Sequence, residues 1–523
     1  MASSLESAAP RAAHPGPDAW SIRTLPARDA RLVWGIVALA FLVRLVPVLV
    51  GGGLHAVFTY DDGVYFGAAD AWVNGLVPYR DALFLHPPGI LYLLAPFAAL
   101  GNVIGDGDAL AVGRVAFMAL GALNTFFVIA VAARLGRREA LLAGCFYAVW
   151  PSAVVVERTT WLIAPQTAFL LVALLAVAYG GEGPHPAVGG RRAVVAGIAM
   201  GLTFSTQIWG AIPALVVLAW IVLAAGGTGM RARGRAAATY VVAAATTTII
   251  AWAPFLLASG LPMLRYTFLD QLGRPEAAGS MVDRIRALEG LLDQANRLPA
   301  RIPGWLVAAA FLGAVVIMAW AAWRRPGLRP WAVLAAIQLV VLALAPVYGH
   351  YAAWVAPACA ILAGGAAATL SLRPGSGRPV RAALALATLG LLAASLVLSA
   401  ARGTGTRLDL PALEVAVGSS RCVTADSPVL LVELDRLGRN VRERCPVVLD
   451  PSGNAYDLDR GDAAKRDVRP GYQAAMEAYY ASGGAALFIR GADARLSAGT
   501  LAAIGAHLPV KTLVSGVTVM AAR

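Results

Sequence analysis

The chain has 523 residues, of which 59% are hydrophobic and only 14% charged, with a mean hydropathy of +0.67. That balance excludes an ordinary soluble protein, whose surface at this size needs far more polar residues. The net charge of +13 does not indicate a nucleic-acid partner. The arginines fall in short loops between apolar runs, the distribution that orients membrane segments.

Residues 1–30 are rich in Ala, Pro and Ser and carry no apolar core. They read as a disordered cytoplasmic tail rather than a signal peptide. Apolar runs of roughly 17 to 25 residues read as transmembrane helices. Eleven are placed, at 32–50, 108–133, 140–156, 164–180, 193–208, 211–226, 236–258, 304–323, 331–347, 352–371 and 381–400. The transmembrane domain as a whole is assigned to 31–401. Within it, 51–107 forms one long outer loop with juxtamembrane helices and 259–303 a second. The run 87-PPGILYLLAPFAALGNVIG-105 is apolar, but its Pro-Pro start and internal Pro96 suit a helix lying on the outer leaflet better than a twelfth span.

Sidedness follows from the loops. RLGRRE (134–139), GGRR (189–192), RARGR (231–235), WRRPGLR (323–329) and LRPGSGRPVR (372–381) fall on one side, together with Arg23, Arg28 and Arg31. The N-terminus is then cytoplasmic and everything after Ala400 extracytoplasmic, in a multi-pass protein of the plasma membrane. Residues 402–523 change character and read as a small α/β domain. Strands are expected at 423–434, 446–450, 485–491 and 510–520, with helices across YQAAMEAYYASG and SAGTLAAIGAHL. An outside location favours a Cys422–Cys445 disulfide. The alternative is two free thiols packed as small hydrophobes.

Ionisable groups near the ends of spans are expensive unless they serve a site, and here they gather on the outer side. The first segment, 58-FTYDDGVYFGAADAWVNGLVPYRD-81, carries Asp61 and Asp62, then Tyr65, Tyr79 and Arg80, with His86 following. Paired carboxylates serve as a general base toward a hydroxyl or hold a divalent cation such as Mg or Mn. The plainer reading is a solvated loop in which Asp61 caps a helix. The second segment is Glu157-Arg158, either facing the acidic pair across a cavity or forming an interfacial ion pair. The third, 265-RYTFLDQLGRPEAAGSMVDRIRAL-288, sets Arg265, Arg274, Arg284 and Arg286 against the orientation bias. Arginine forks suit phosphate oxygens, while an amphipathic helix snorkelling to headgroups explains them equally. His350-Tyr351 completes the outer ring.

The first loop, with its acidic pair, Tyr65, GLVPYRD and HPPGILYLLAPF, resembles polyprenyl-phosphate-dependent membrane glycosyltransferases of the GT-C fold. Within them it looks most like the protein O-mannosyltransferase and aminoarabinose-transferase group, glycosyltransferase family 39. The likeness runs over residues 32–400, with 112–151 similar to that group's second and third spans. The tail, with its Cys…Cys-Pro-Val-Val-Leu-Asp-Pro pattern, is similar to tails on bacterial members.

The resemblance implies an inverting transfer of a sugar from a polyprenyl-phosphate donor to an envelope glycan, lipid or protein on the outer face. Its base would be Asp61 or Asp62, with Asp61 preferred, and Glu157 a supporting acid. In DQLGRP, Arg274 would hold the donor phosphate beside Gln271. His350, Tyr351, Tyr65, Tyr79, Arg80, His86 and Gln207 would complete substrate binding.

Two positions depart from the family pattern. Ala164 stands where relatives carry an acid before Pro, and Gln207 where they often carry Lys. A lipid-linked glycan transporter is the second reading, although the chain has no clear internal repeat and its charges avoid the midplane. A non-catalytic envelope-assembly protein is the third.

Overall fold

The computed structural model describes residues 25–178, 188–223, 229–272, 280–288, 303–344, 348–371, 378–400, 405–457, 468–489 and 495–523. Every expected span falls on helix. The long ones are α1 (Ala27–Val50) and α4 (Asp106–Ala132). Between them lie the two loop helices, α2 (Tyr60–Val73) and α3 (Gly89–Ile104). The third expected span is broken into α5 (Arg137–Ala148) and α6 (Pro151–Val156), because Pro151 lacks the N–H needed to continue a helix and instead starts one. Then follow α7 (Ile163–Ala178), α8 (Gly190–Thr206), α9 (Ala211–Leu223) and α10 (Met230–Ser259). The second outer stretch holds α11 (Leu261–Leu264), a wide π-helical turn at Arg265–Asp270, and α12 (Met281–Leu288). The bundle ends with α13 (Gly304–Arg324), α14 (Arg329–Leu344), α15 (Ala356–Ser371) and α16 (Arg378–Ala400).

Among the described residues, seven helices are long and apolar enough to cross a membrane, and the chain is a multi-pass membrane protein. Its helices meet through small residues, as association within lipid requires. A Cβ on Gly197 would stand 2.4 Å from the Tyr240 carbonyl oxygen, and one on Gly201 2.6 Å from that of Ala244, so α8 and α10 pack backbone to backbone. Gly364 of α15 likewise lies against Ala143 of α5, at 2.5 Å from its nitrogen.

The C-terminal part opens with α17 (Leu410–Val417) and carries a four-stranded sheet in the order β1-β2-β4-β3, comprising β1 (Val423–Ala425), β2 (Ala485–Phe488), β3 (Val510–Val514) and β4 (Val517–Ala521). β1 and β2 are parallel, while β4 is antiparallel to both β2 and β3.

Three strand expectations are corrected. The run 423–434 is strand only to Ala425, because Ser427-Pro428 starts α18 (Pro428–Glu433), with the proline at its first position. Residues 446–450 form no strand. The Asn440 side chain, on α19 (Leu437–Arg442), already takes the Val423 N–H at 3.3 Å and its carbonyl at 2.6 Å, closing the edge that a further strand would need. The run 510–520 is a hairpin, since Ser515 and Gly516 both adopt positive φ (47° and 81°), the two-residue turn that matches strand twist. Helices Pro470–Ala481 and Ala498–His507 stand where helices were expected. The Cys422–Cys445 disulfide is formed.

A single apolar core passes from the bundle into this part. It includes Val64, Phe66 and Leu91 together with Val429, Leu430, Val432 and Leu437.

Candidate active site

The site begins at the N-terminus of α2. Thr59 caps that helix, its hydroxyl accepting the Asp62 N–H at 3.3 Å, and two carboxylates in the first turn favour the helix dipole. The neighbouring acids meet different fates. Asp62 is fully buried. Arg114 donates to its Oδ2 at 2.8 Å, and the backbone N–H and hydroxyl of Thr160 donate to its Oδ1 at 2.8 and 2.6 Å. Asp61 is partly exposed, its side chain 29% open, and lies 4.0 Å from His350 Nε2.

His350 sits in a nest of rings. Trp161 and Tyr351 each stand 4.5 Å from it between centroids, and Tyr348 lies 6.0 Å away. The Tyr348 hydroxyl is 3.1 Å from that of Tyr456, a residue of the C-terminal part. Tyr351 continues into a small open crevice lined by Ile163, Gln207, Trp209, Val341, Leu342 and Trp354. Gln207 is thus the polar group on an otherwise apolar and aromatic wall. Among the described residues the buried indole N–H groups of Trp161 and Trp354 have no hydrogen-bond partner, and Trp354 lines the crevice.

A second group adjoins through α2, where Asp61 and Tyr65 share a face at i, i+4. Tyr65 meets His86 edge to face at 5.0 Å. The Gln271 amide donates to the Leu85 carbonyl at 2.7 Å and lies 3.4 Å from His86 Nδ1. Tyr79 is buried and donates its hydroxyl to the His86 carbonyl at 2.6 Å. Burial holds its pKa well above the ordinary phenol value, which keeps it a donor that shapes the His86 turn. Arg80 points outward and pairs with Asp81 at 2.8 Å.

The other expected residues go elsewhere. Glu157 does not face Asp61 across a cavity, nor does it pair with Arg158. It is buried against Arg44 of α1, with Nε at 2.9 Å, and accepts from Asn124 at 2.7 Å and Tyr147 at 2.8 Å. Such a carboxylate is fully used in joining α1, α4 and α5. Arg158 instead donates to the carbonyls of Val43, Arg44 and Ser399. In the basic segment, Arg265 pairs with Asp457 and Asp270, Arg284 donates to the carbonyls of Leu342 and Ala343, and Arg286 pairs with Asp283. Arg274 lies outside the described residues. In this arrangement the Asp62 carboxylate is engaged by Arg114 and Thr160. Among the described residues no three His, Cys, Asp or Glu side chains converge as ligands.

Several contributors escaped the sequence reading. Arg44 and Arg114 lie inside apolar runs, where an ionisable residue is itself a signal of function or of a buried partner. Trp161, Trp209 and Trp354 at span ends read from sequence as ordinary interfacial aromatics. Tyr456 and Glu433 had no signal at all, since only folding carries the tail to the first loop.

The model for glycosyltransferase family 87 matches residues 84–347, half of the chain. Two solved structures of ArnT from Cupriavidus metallidurans share its architecture. The apo form aligns with a TM-score of 0.59 at 16% identity, covering 95% of this chain and 98% of that one. The form bound to undecaprenyl phosphate gives 0.57 at 16% identity, covering 94% and 98%. At that identity the likeness is one of fold. The search of curated protein sequences found no significant match. The matching family model is that of family 87, which lies within the GT-C superfamily that the first loop resembles. This chain belongs to glycosyltransferase family 87, a family of membrane enzymes built on the GT-C fold.

Proposed function

We propose that the enzyme moves a sugar from a polyprenyl-phosphate carrier to a glycan, lipid or protein of the cell envelope, on the outer face of the membrane, with inversion and with Asp61 as base. The observation that carries this reading is the division of labour within the acidic pair. Asp62 is buried and fully engaged, while Asp61 is partly exposed beside His350, whose ring neighbour Tyr351 lines an aromatic crevice. A base must be within reach of its proton, and of the two carboxylates only Asp61 is partly exposed.

In the reaction, an acceptor hydroxyl attacks the anomeric carbon from the face opposite the carrier. The bond from that carbon to the phosphate oxygen breaks, the polyprenyl phosphate departs with the electron pair, and the hydroxyl proton passes to the Asp61 carboxylate. Aromatic faces such as Trp161, Trp209 and Tyr351 suit the apolar faces of a sugar ring, and Gln207 with the Trp354 indole N–H suits its hydroxyls. A lipid-bound donor accounts for a transferase made mostly of membrane helices, and the ArnT likeness, with undecaprenyl phosphate bound in that protein, agrees with it. The resemblance assigns the donor phosphate to Arg274. The charge pattern of the loops, read by the orientation rule, supports an outer location for α2 and the C-terminal part.

Replacing Asp61 by Asn tests the assignment. Loss of a positioned base lowers turnover by about 10²–10⁴-fold, read as loss of one sugar from envelope glycans in cells carrying only the variant. Full transfer by Asp61→Asn sinks the base assignment.

A further inference from the structure

Asp61 lies between two residues that the C-terminal part takes hold of. On one side, the Tyr60 hydroxyl donates to Asp450 Oδ1 at 2.6 Å and accepts the Ser452 N–H at 2.9 Å. On the other, Asp62 is bound by Arg114, and Arg114 also donates to Glu433 Oε1 at 3.0 Å, with all three side chains buried. Next in the chain, Gly63 lies so close to α18 that a Cβ would stand 2.2 Å from the Val429 nitrogen. The same C-terminal segment sends Tyr456 to Tyr348 beside His350 and Asp457 to Arg265.

We propose that the C-terminal domain is part of the catalytic machinery as a positioning element. Asp450 through Tyr60, and Glu433 through Arg114 and Asp62, clamp the first turn of α2 and fix the placement of Asp61 beside His350. The inference rests on the reading of Asp61 as base. A helix end is the part of a helix that frays most readily, and Asp61 is only the second residue of α2. Its reach to a bound hydroxyl has a tolerance well under 1 Å, since a displacement of that size costs on the order of 10²-fold. Docking the domain elsewhere on the bundle would hold it in place without gripping both neighbours of one exposed carboxylate.

The test uses the full-length protein in nanodiscs that contain undecaprenyl phosphate, comparing Tyr60→Phe and Glu433→Gln with the parent. The first readout is amide hydrogen exchange, which needs no donor. Residues 60–66 are expected to exchange about tenfold faster in each variant, while the 485–488 and 517–521 strands keep parental rates. The second readout is transfer from the carrier-linked sugars extracted from the native membrane. There kcat is expected to fall about tenfold with the donor KM within about twofold. Tyr60→Phe removes one hydroxyl and keeps the ring, so it decides the question alone if Glu433→Gln fails to fold. Unchanged exchange at 60–66 overturns the proposal. So does a uniform rise across the C-terminal strands, which marks a docking contact only. Full activity of Asp61→Asn strikes the base assignment instead, and leaves the exchange result to stand.

Discussion

At the scale of single residues, the fold sorts charges that look alike in sequence. Asp61 and Asp62 are adjacent, yet one residue of helical rotation, about 100°, leaves the first partly exposed beside His350 and turns the second into the Arg114–Thr160 pocket. Sequence alone pairs them as equals. The same holds for Glu157, whose partner Arg44 lies 113 residues away. Arg114 carries the sharpest consequence at this scale. Replacing it by Met leaves the Asp62 and Glu433 carboxylates buried without their shared cation, and breaking such a pair costs about 3–5 kcal/mol. The expected outcome is a marked fall in the thermal midpoint of the detergent-solubilised protein, measured by tryptophan fluorescence. An unchanged midpoint would show that the buried triad contributes nothing to stability.

Among elements, the junction of α2 with α18 matters most. Gly63 is required there because the two helices meet at backbone distance, where no side chain fits between them. An extra methyl pushes against the Val429 backbone, which has no flexible end to move aside. Gly63→Ala is therefore expected to part the two helices, at a cost of roughly 1–3 kcal/mol. Limited proteolysis reads the result as faster cleavage between α18 and the disulfide at Cys445. Parental resistance would mean the seam relaxes without opening. Local chemistry made several elements legible beforehand. The apolar runs named the bundle helices, and the expected outside location of the tail favoured the Cys422–Cys445 bond that the fold forms. The misread strands at 423–434 and 446–450 had the right composition, but Pro428 started a helix and Asn440 took the sheet edge.

For the molecule as a whole, the seam between bundle and C-terminal domain is also where protonation bears on stability. Burial pushes the Asp70 carboxyl well above its ordinary value, with the nearby Asp106 charge adding to it and Arg442 and Asn74 opposing. Burial likewise raises Glu433, outweighing the pull of His55 and Arg114. A hydrogen bond to Glu433 at 2.9 Å raises His55, with Asp108 assisting and Arg114 opposing. All three groups hold protons more tightly in the fold than in the unfolded chain, so stability falls as pH rises. The carboxyl contributions are lost from about pH 4 upward, and that of His55 above its ordinary value near 6.5. The expected outcome is a lower thermal midpoint at pH 8 than at pH 5.5, with His55→Gln flattening the upper part of the slope. A midpoint that rises across that range would contradict the sign.

By itself the sequence determined that this is a multi-pass helical membrane protein with a polar α/β tail. Hydropathy and helix-breaking residues act over one or two turns, and a membrane span is a local property of about 20 residues. It also drew attention to the Asp61–Asp62 pair and to His350, because a polar group beside an apolar run needs a reason wherever it lies. Only the tertiary structure decided which carboxylate is open, that Arg44 and Arg114 hold buried acids, and that the tail grips the first loop. Those contacts join residues 52 to 392 positions apart. Nothing in a local pattern records such pairings, since they form only when the whole chain has packed.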